Sequence, residues 1–294
     1  TPMNAISGMT TIAKSVLDDR ERLADCLEKI ESANAYLLNL INDILDMSRI
    51  ESGKLELSLE PMDLLQQLAN LESMFRVQAE EKQLALRVEN NYTDRRLLMA
   101  DSLRLNQVLV NIIGNAIKFT NRGSVTLRVE ELETSPRALL RFSVRDTGIG
   151  IEESARARIF NAFEQAEAST AARHGGTGLG LAISSRLVQM MGGALEVDSE
   201  VGEGSVFYFT VAFEYAGEAS LKSQTCKEAK AALPDFQGKR ILLAEDNELN
   251  QEIARTILEM QGFCVICAAN GKEALERFAG SGGQPFDAIL MDIR

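Results

Sequence analysis

Between Asp101 and Thr120 the segment DSLRLNQVLVNIIGNAIKFT reads as a long helix that is apolar almost all round, yet it carries Asn111, Asn115 and Lys118. These three are spaced four and three apart, so they share one helical face. The apolar remainder requires a sheet to pack on, and Asp101 is placed to cap the first turn. The polar face must be satisfied by something else. A Mg²⁺–polyphosphate does this well. The phosphates bring the negative charge, so a neutral amide oxygen suffices as the protein's own metal ligand, and Lys118 offsets phosphate charge. Two solvent-facing asparagines would give the same spacing, so the helix alone does not decide.

Three later stretches bear on the same choice. In RDTGIGI, Asp146 closes a strand and can accept a hydrogen bond from an adenine amino group, while Gly148 and Gly150 let backbone approach a base. Gly175, Gly176, Gly178 and Gly180 lead into a second helix, where exposed N–H groups and the positive dipole end suit phosphate. No Lys-Ser/Thr follows them, so this is not a Walker loop. Between the two glycine stretches lies IFNAFEQAEASTAAR, polar and rich in Ala, Ser and Thr, which suits a lid over a nucleotide.

The rest of the chain frames this segment. Residues 3–19 and 21–51 read as two helices. In the second, Leu23, Leu27, Ile30, Leu37, Ile41, Ile44 and Met47 recur at helical spacing. A lone hairpin buries little, so the stripe needs a partner. A dimeric four-helix bundle supplies one, and docking on the neighbouring domain is the alternative. KLELSLE and LALRVEN alternate as strands, with a helix from Asp63 to Glu81 between them. GSVTLRVEEL and ALLRFSVRDTG are strands. A helix leaves through Gly192 and Gly193, and two strands flank Gly202 to Gly204. Residues 54–215 thus form an α/β layer with a mixed sheet. Residues 216–236 read as a linker, and 237–294 as βαβαβ, the start of a doubly wound parallel sheet. The fold class is multidomain, α plus α/β.

A formal charge of -12 and a pI of about 4.8 argue against a nucleic-acid surface or an anionic membrane surface. No run of about 18 apolar residues occurs. Cys264 and Cys267 form a CxxC, but on a strand they face opposite ways, so a reduced, cytosolic chain is expected. The chain begins at TPMNAISGM and ends at AILMDIR, both of which read as cuts through elements, so a longer protein is expected.

In this order and spacing the four stretches resemble the nucleotide-binding boxes of sensor histidine kinases: the Asn box, first glycine box, Phe box and second glycine box. Residues 1–53 resemble that family's dimerisation and histidine-phosphotransfer helices, 54–215 its catalytic α/β-sandwich ATP-binding domain, and 237–294 a response-regulator receiver cut short. The whole is similar to bacterial hybrid kinases. The resemblance implies ATP and Mg²⁺ as cofactors, with Asn115 as Mg²⁺ ligand and Asn111 beside it. Lys118 would contact phosphate and Phe119 would lie on the nucleotide. Asp146, Gly148 and Gly150 would form the adenine pocket. Phe160 and Phe163 would anchor the lid, and Gly176, Thr177, Gly178, Leu179 and Gly180 would line the triphosphate. In the receiver, Glu245 and Asp246 would hold Mg²⁺ with Asp292, the phosphoryl acceptor. Three carboxylates at strand ends are a sound Mg²⁺ site on physical grounds too.

The family's phosphoacceptor pattern ends in Thr-Pro, which matches Thr1 and Pro2. Its histidine would then lie four residues before Thr1, and Thr1 would orient water when the receiver is dephosphorylated. His174, the only histidine present, is expected beside the nucleotide and not as acceptor; a pH-sensitive lid is the alternative. The implied activity is ATP-dependent protein-histidine kinase, passing phosphate from His to Asp. Residues 1–294 alone are expected to bind ATP without labelling themselves. Implied partners are a second copy through the N-terminal helices, the protein's own receiver, and a downstream phosphotransfer or response-regulator protein, with no nucleic acid directly. The implied setting is the cytoplasmic portion of a protein anchored in the bacterial inner membrane. Two other readings stay open. Hydrolytic ATPases of the same fold use a catalytic Glu early in the Asn-bearing helix, where Arg104, Leu105 and Gln107 stand here. A non-catalytic dimeric sensor would keep the nucleotide residues without the transfer.

Overall fold

The computed structural model describes residues 2–92, 94, 96–162, 178–217, 236–280 and 285–292. The chain divides into two compact units, Thr1–Lys222 and Ser223–Arg294.

The first unit opens with an antiparallel hairpin of α1 (Pro2–Ser15) and α2 (Arg20–Glu51). Asp19 starts α2 by accepting the Arg22 N–H at 3.1 Å, as an N-cap should. Gly53 ends it at φ +64, a left-handed geometry that glycine adopts without steric cost. Between the helices Ala13 and Cys26 are buried. The α2 stripe behaves in two ways. Met47 and Ile50, near its C-terminus, pack on the core of the following domain. Leu27, Leu38, Ile41, Ile44 and Leu45 are between 44% and 53% exposed. Docking on the neighbouring domain is thus seen for Met47 of the expected stripe, while its Leu27, Ile41 and Ile44, with Leu38 and Leu45 beside them, stay exposed.

A seven-stranded sheet follows, with β1 (Glu60–Met62), β2 (Ala85–Asn90), β3 (Leu98–Ala100), β4 (Ser124–Glu133), β5 (Ala138–Asp146), β6 (Glu196–Glu200) and β7 (Gly204–Tyr215). Its order is β1-β3-β7-β5-β4-β2, with β6 paired to β7. Only β2 and β4 run parallel. KLELSLE does not form the expected strand. The backbone pairs only from Glu60, which lies opposite Ala100, because Leu55 goes into the core and the Ser58 N–H is taken by the Asp101 carboxylate at 3.0 Å.

Strand alternation sends Leu140, Phe142 and Val144 of β5, and Phe207, Phe209 and Val211 of β7, to one face. Phe142 and Phe209 stack there with centroids 5.0 Å apart. Helices α3 (Leu64–Glu81), α4 (Ser102–Phe119) and α6 (Gly180–Met190) contribute to that core through Leu68, Phe75, Leu109, Ile112 and Leu187. Each such buried apolar side chain stabilises by roughly 1.5–3 kcal/mol. The short helix α5 (Glu153–Arg156) precedes a single 3₁₀ turn, Arg158–Phe160.

The second unit has β8 (Arg240–Ala244), α7 (Glu248–Met260), β9 (Cys264–Ala268), α8 (Gly271–Ala279) and β10 (Ala288–Met291). Its sheet is wholly parallel, in the order β10-β8-β9, as the βαβαβ pattern requires. Cys264 and Cys267 are free thiols.

Candidate functional site

Helix α4 sets out the first half of the site. Asp101 caps it, accepting the Arg104 N–H at 3.0 Å. Its apolar faces are buried, while Asn111, Asn115, Lys118 and Phe119 are half-buried along one side. The two amides are joined: Asn115 Nδ2 donates to Asn111 Oδ1 at 3.4 Å, and Asn111 Nδ2 donates to Ser184 Oγ of α6 at 2.9 Å. Gly180, the first residue of α6, lies so close that a Cβ there would overlap Asn111 Oδ1. The start of the glycine-led helix and the polar face of α4 are therefore one surface. Gly178, at φ +70, turns the chain into it. Leu179 is wholly buried in the core, so its side chain anchors this turn from beneath.

At the other end of α4 the Lys118 ammonium lies 4.9 Å from the Phe119 ring centroid. Burial lowers its pKa, and the neighbouring Lys82 cation lowers it further. Lys82 Nζ donates to the carbonyls of Ile117 at 2.9 Å and Lys118 at 3.1 Å, closing the helix terminus with a cation.

Asp146 supplies the second half. It is 6% exposed at the end of β5, and Oδ1 accepts the Gly148 N–H at 2.8 Å. Burial raises its pKa; the backbone N–H groups of Gly148 and Ser205 pull the other way. The glycines here are obligatory. A Cβ at Gly148 would sit 2.6 Å from the Phe119 carbonyl oxygen and 2.8 Å from Asp146 Oδ1. One at Gly150, where φ is +71, would overlap the Glu200 carbonyl. Since Phe119 ends α4, Gly148 is what lets the Asp146 loop close against the Asn-bearing helix. Phe160 packs on the core margin. Thr1, Phe163, His174, Gly176 and Thr177 lie outside the described residues.

Sequence reasoning passed over Asp46, whose carboxylate Oδ2 takes the Arg104 guanidinium at 3.0 Å and Gln107 Nε2 at 2.9 Å. Arg104 and Gln107, which occupy the region where hydrolytic relatives of the fold would place a general base, are thus engaged with α2. Leu105 is wholly buried. Ser184 and Lys82 were also passed over. The one signal for Ser184 was a hydroxyl on a helix face that otherwise reads as core.

In the second unit Glu245, Asp246 and Asp292 bring carboxylate oxygens within 4.8 Å of one another. The register of β8 with β10, Ala244 opposite Met291, places them at adjacent strand ends. Asn250 Nδ2 donates to Glu245 Oε1 at 3.1 Å.

An amide-and-lysine face, a loop built on a buried carboxylate and a glycine-led helix thus lie on one α/β domain, a mixed sheet with helices on one side, carried behind a helical hairpin. Comparison with known proteins agrees. Residues 100–215 match the family described as histidine kinase-, DNA gyrase B-, and HSP90-like ATPase, and residues 1–53 match the His kinase A phospho-acceptor domain. The sensory/regulatory protein RpfC of Xanthomonas campestris pv. campestris is 33% identical over all of this chain and 43% of its own length. The aerobic respiration control sensor protein ArcB of Escherichia coli K12 is 37% identical over all of this chain and 36% of its own length. The crystal structure of full-length ShkA in complex with AMPPNP superposes with a TM-score of 0.58 at 31% identity, over 99% of this chain and 59% of that one. The chain thus carries, in sequence order, a match to the His kinase A domain and a match to the histidine kinase-like ATPase domain. It spans less than half the length of these two curated relatives.

Proposed function

We propose that the whole protein is an ATP-dependent protein-histidine kinase of a two-component phosphorelay, with residues 54–215 as its catalytic domain and residues 1–53 as its dimerisation and phosphotransfer helices. The observation that carries the reading is the joining of Asn111, and through it Asn115, to the start of α6, with Gly148 setting Asp146 against Phe119 at the other end of α4. Neutral amides beside a lysine fit a metal that arrives on a polyphosphate, because a carboxylate cage would repel the phosphates. Asn115 would hold Mg²⁺, which supplies charge neutralisation on the phosphate oxygens. Asp146 accepts from the adenine amino group, and Phe119 lies along the base. Lys118 offsets the charge that builds on the phosphates during transfer, and the N–H groups at Gly178 and Gly180 orient them. Catalysis of this kind is positioning plus charge stabilisation. Asn111, linked to Ser184 and Asn115, acts on the site by holding Asn115.

The exposed stripe Leu27, Leu38, Ile41, Ile44 and Leu45 supports a homodimer through a four-helix bundle. The clustered Glu245, Asp246 and Asp292 support a receiver in which the two acids hold Mg²⁺ and Asp292 accepts phosphate. Among the described residues no helix is long and apolar enough to cross a membrane; anchoring of the whole protein in the inner membrane is part of the proposal.

The test is γ-labelled ATP on the full-length protein. Acid-labile label on a histidine of the phospho-acceptor helices, lost in Asn115→Ala and kept in His174→Ala, is the expected result. Label mapping to His174, or MgATP binding without label, would overturn it.

A further inference from the structure

Ser184 is a hydroxyl in a place built for an apolar side chain. It lies on α6, 1% exposed, in a helix whose neighbours Ile183, Leu187 and Val188 are core. A buried hydroxyl costs free energy unless it is hydrogen-bonded. Its partner is Asn111 Nδ2, at 2.9 Å.

That bond has a consequence two residues away in the network. The two ends of a carboxamide are nearly equal in size but opposite in hydrogen-bonding sense. Packing therefore says little about which end points where, and hydrogen bonds decide. Asn111 gives its Nδ2 to Ser184 and offers Oδ1 to Asn115 Nδ2. Asn115 has then directed its amide nitrogen toward Asn111, which turns its own oxygen to the other side. Both N–H donors run in one direction, and the row ends on Ser184. Without the Ser184 oxygen, a half-buried Asn111 Nδ2 loses its acceptor. Turning Asn111 over would present an N–H to Asn115, and Asn115 would turn in response. An N–H would then stand where a cation needs oxygen.

We propose that Ser184 is a positioning residue that fixes the orientation of the Asn111 and Asn115 amides, so that Asn115 presents its oxygen to the metal of a bound metal–nucleotide. This rests on the nucleotide reading of the site. It assigns Ser184 no contact with the ligand.

The test is calorimetric titration of residues 1–294 with a non-hydrolysable ATP analogue, with and without Mg²⁺. The quantity read is the ratio of the two dissociation constants. Outer partners of metal ligands typically change metal affinity by about 10–100-fold, so Ser184→Ala should lower the Mg²⁺-dependent gain by about tenfold while metal-free affinity stays near wild type. Ser184→Thr, which keeps the hydroxyl, should retain the gain. Ser184→Cys, close in size but a poor acceptor, should lose it, and it serves as the comparison if the alanine variant folds poorly. Ser184→Ala added to Asn111→Ala should cost little more than Asn111→Ala alone, because both break one row. A wild-type Mg²⁺ gain in folded Ser184→Ala would overturn the inference, as would equal weakening with and without metal. If the wild-type chain itself shows no Mg²⁺ gain, the nucleotide reading falls and takes this inference with it.

Discussion

Asp46 of α2 and Arg104 of α4 meet at 3.0 Å, with side chains only 15% and 17% exposed, 58 residues apart in sequence. The same carboxylate oxygen takes Gln107 Nε2, and Arg104 Nη1 also donates to Gln107 Oε1 at 2.7 Å. Three side chains thus tie the N-terminal hairpin to the first turns of the helix that carries Asn111 and Asn115.

Breaking this tie should loosen the hairpin from the domain. Hydrogen bonds to charged groups contribute about 1.5–3 kcal/mol, and each single variant also strands a partly desolvated partner. Asp46→Ala and Arg104→Ala should each destabilise by about 2 kcal/mol in urea unfolding, and the double variant should cost clearly less than their sum. Additive losses would mean that the pair carries no coupling.

Asp146 predicts a pH dependence. Its pKa is raised, chiefly by burial, above the usual carboxylate value of about 3.9. In its proposed role toward the adenine amino group a protonated carboxyl cannot serve as the ionised form does, so nucleotide affinity should fall as pH drops through this raised value. Stability runs the other way. The folded chain holds this proton more tightly than the unfolded chain, so Asp146 contributes stability at pH below the unfolded pKa, and that contribution is lost as pH rises through the folded pKa. Asp146→Asn should bind nucleotide weakly at neutral pH, with no acid limb, and should melt no lower than wild type there. Calorimetric binding across mildly acidic pH and thermal melts check both signs.

Gly202 and Gly204 separate backbone strain from steric overlap. Both have positive φ, +87 and +112, but a Cβ at Gly202 meets nothing within 4 Å while one at Gly204 would overlap the Asp146 carbonyl. Strained φ/ψ costs on the order of 1–3 kcal/mol. Gly202→Ala should therefore lose about 1 kcal/mol and keep nucleotide binding. Gly204→Ala should lose more than that and weaken binding by displacing Asp146. Melting temperatures paired with nucleotide titrations distinguish the two.

The exposed stripe of α2 predicts its own cover. Ile41 is 44% and Leu38 53% exposed. Ile41→Asp should convert a dimer to a monomer in sedimentation velocity while leaving nucleotide affinity unchanged, since Ile41 is exposed and is not part of the domain core. A wild-type chain that sediments as a monomer at micromolar concentration would remove the bundle from the proposal.

What the sequence revealed was whatever has a period or a cap. Asp63 and Asp101 cap α3 and α4 where the acids precede apolar runs, and β4, β5 and β7 alternate over nine to twelve residues. The three-residue strands β1 and β3 have no room for a period. They exist because Glu60 and Ala100 find each other, a relation that no local pattern encodes. The site divides in the same way. Asn111 and Asn115 announce themselves by spacing on one helix. Ser184, 73 residues from Asn111, and Asp46, 58 from Arg104, acquire their roles only when helices pack.

The loop around Asp146 has a pharmacological corollary. Main chain packs tightly around it: Asp146 Oδ1 accepts the Gly148 N–H, a Cβ at Gly148 would strike the Phe119 carbonyl, and one at Gly204 would strike the Asp146 carbonyl. A compound that imitates adenine and draws its affinity from Asp146 relies on a carboxylate whose place is set by this backbone. Enlarging Gly148, Gly150 or Gly204 to exclude it would move the same backbone that holds Asp146 for the proposed nucleotide. Escape would have to come from the rim of the pocket, so resistance should be rarer the deeper such a compound sits.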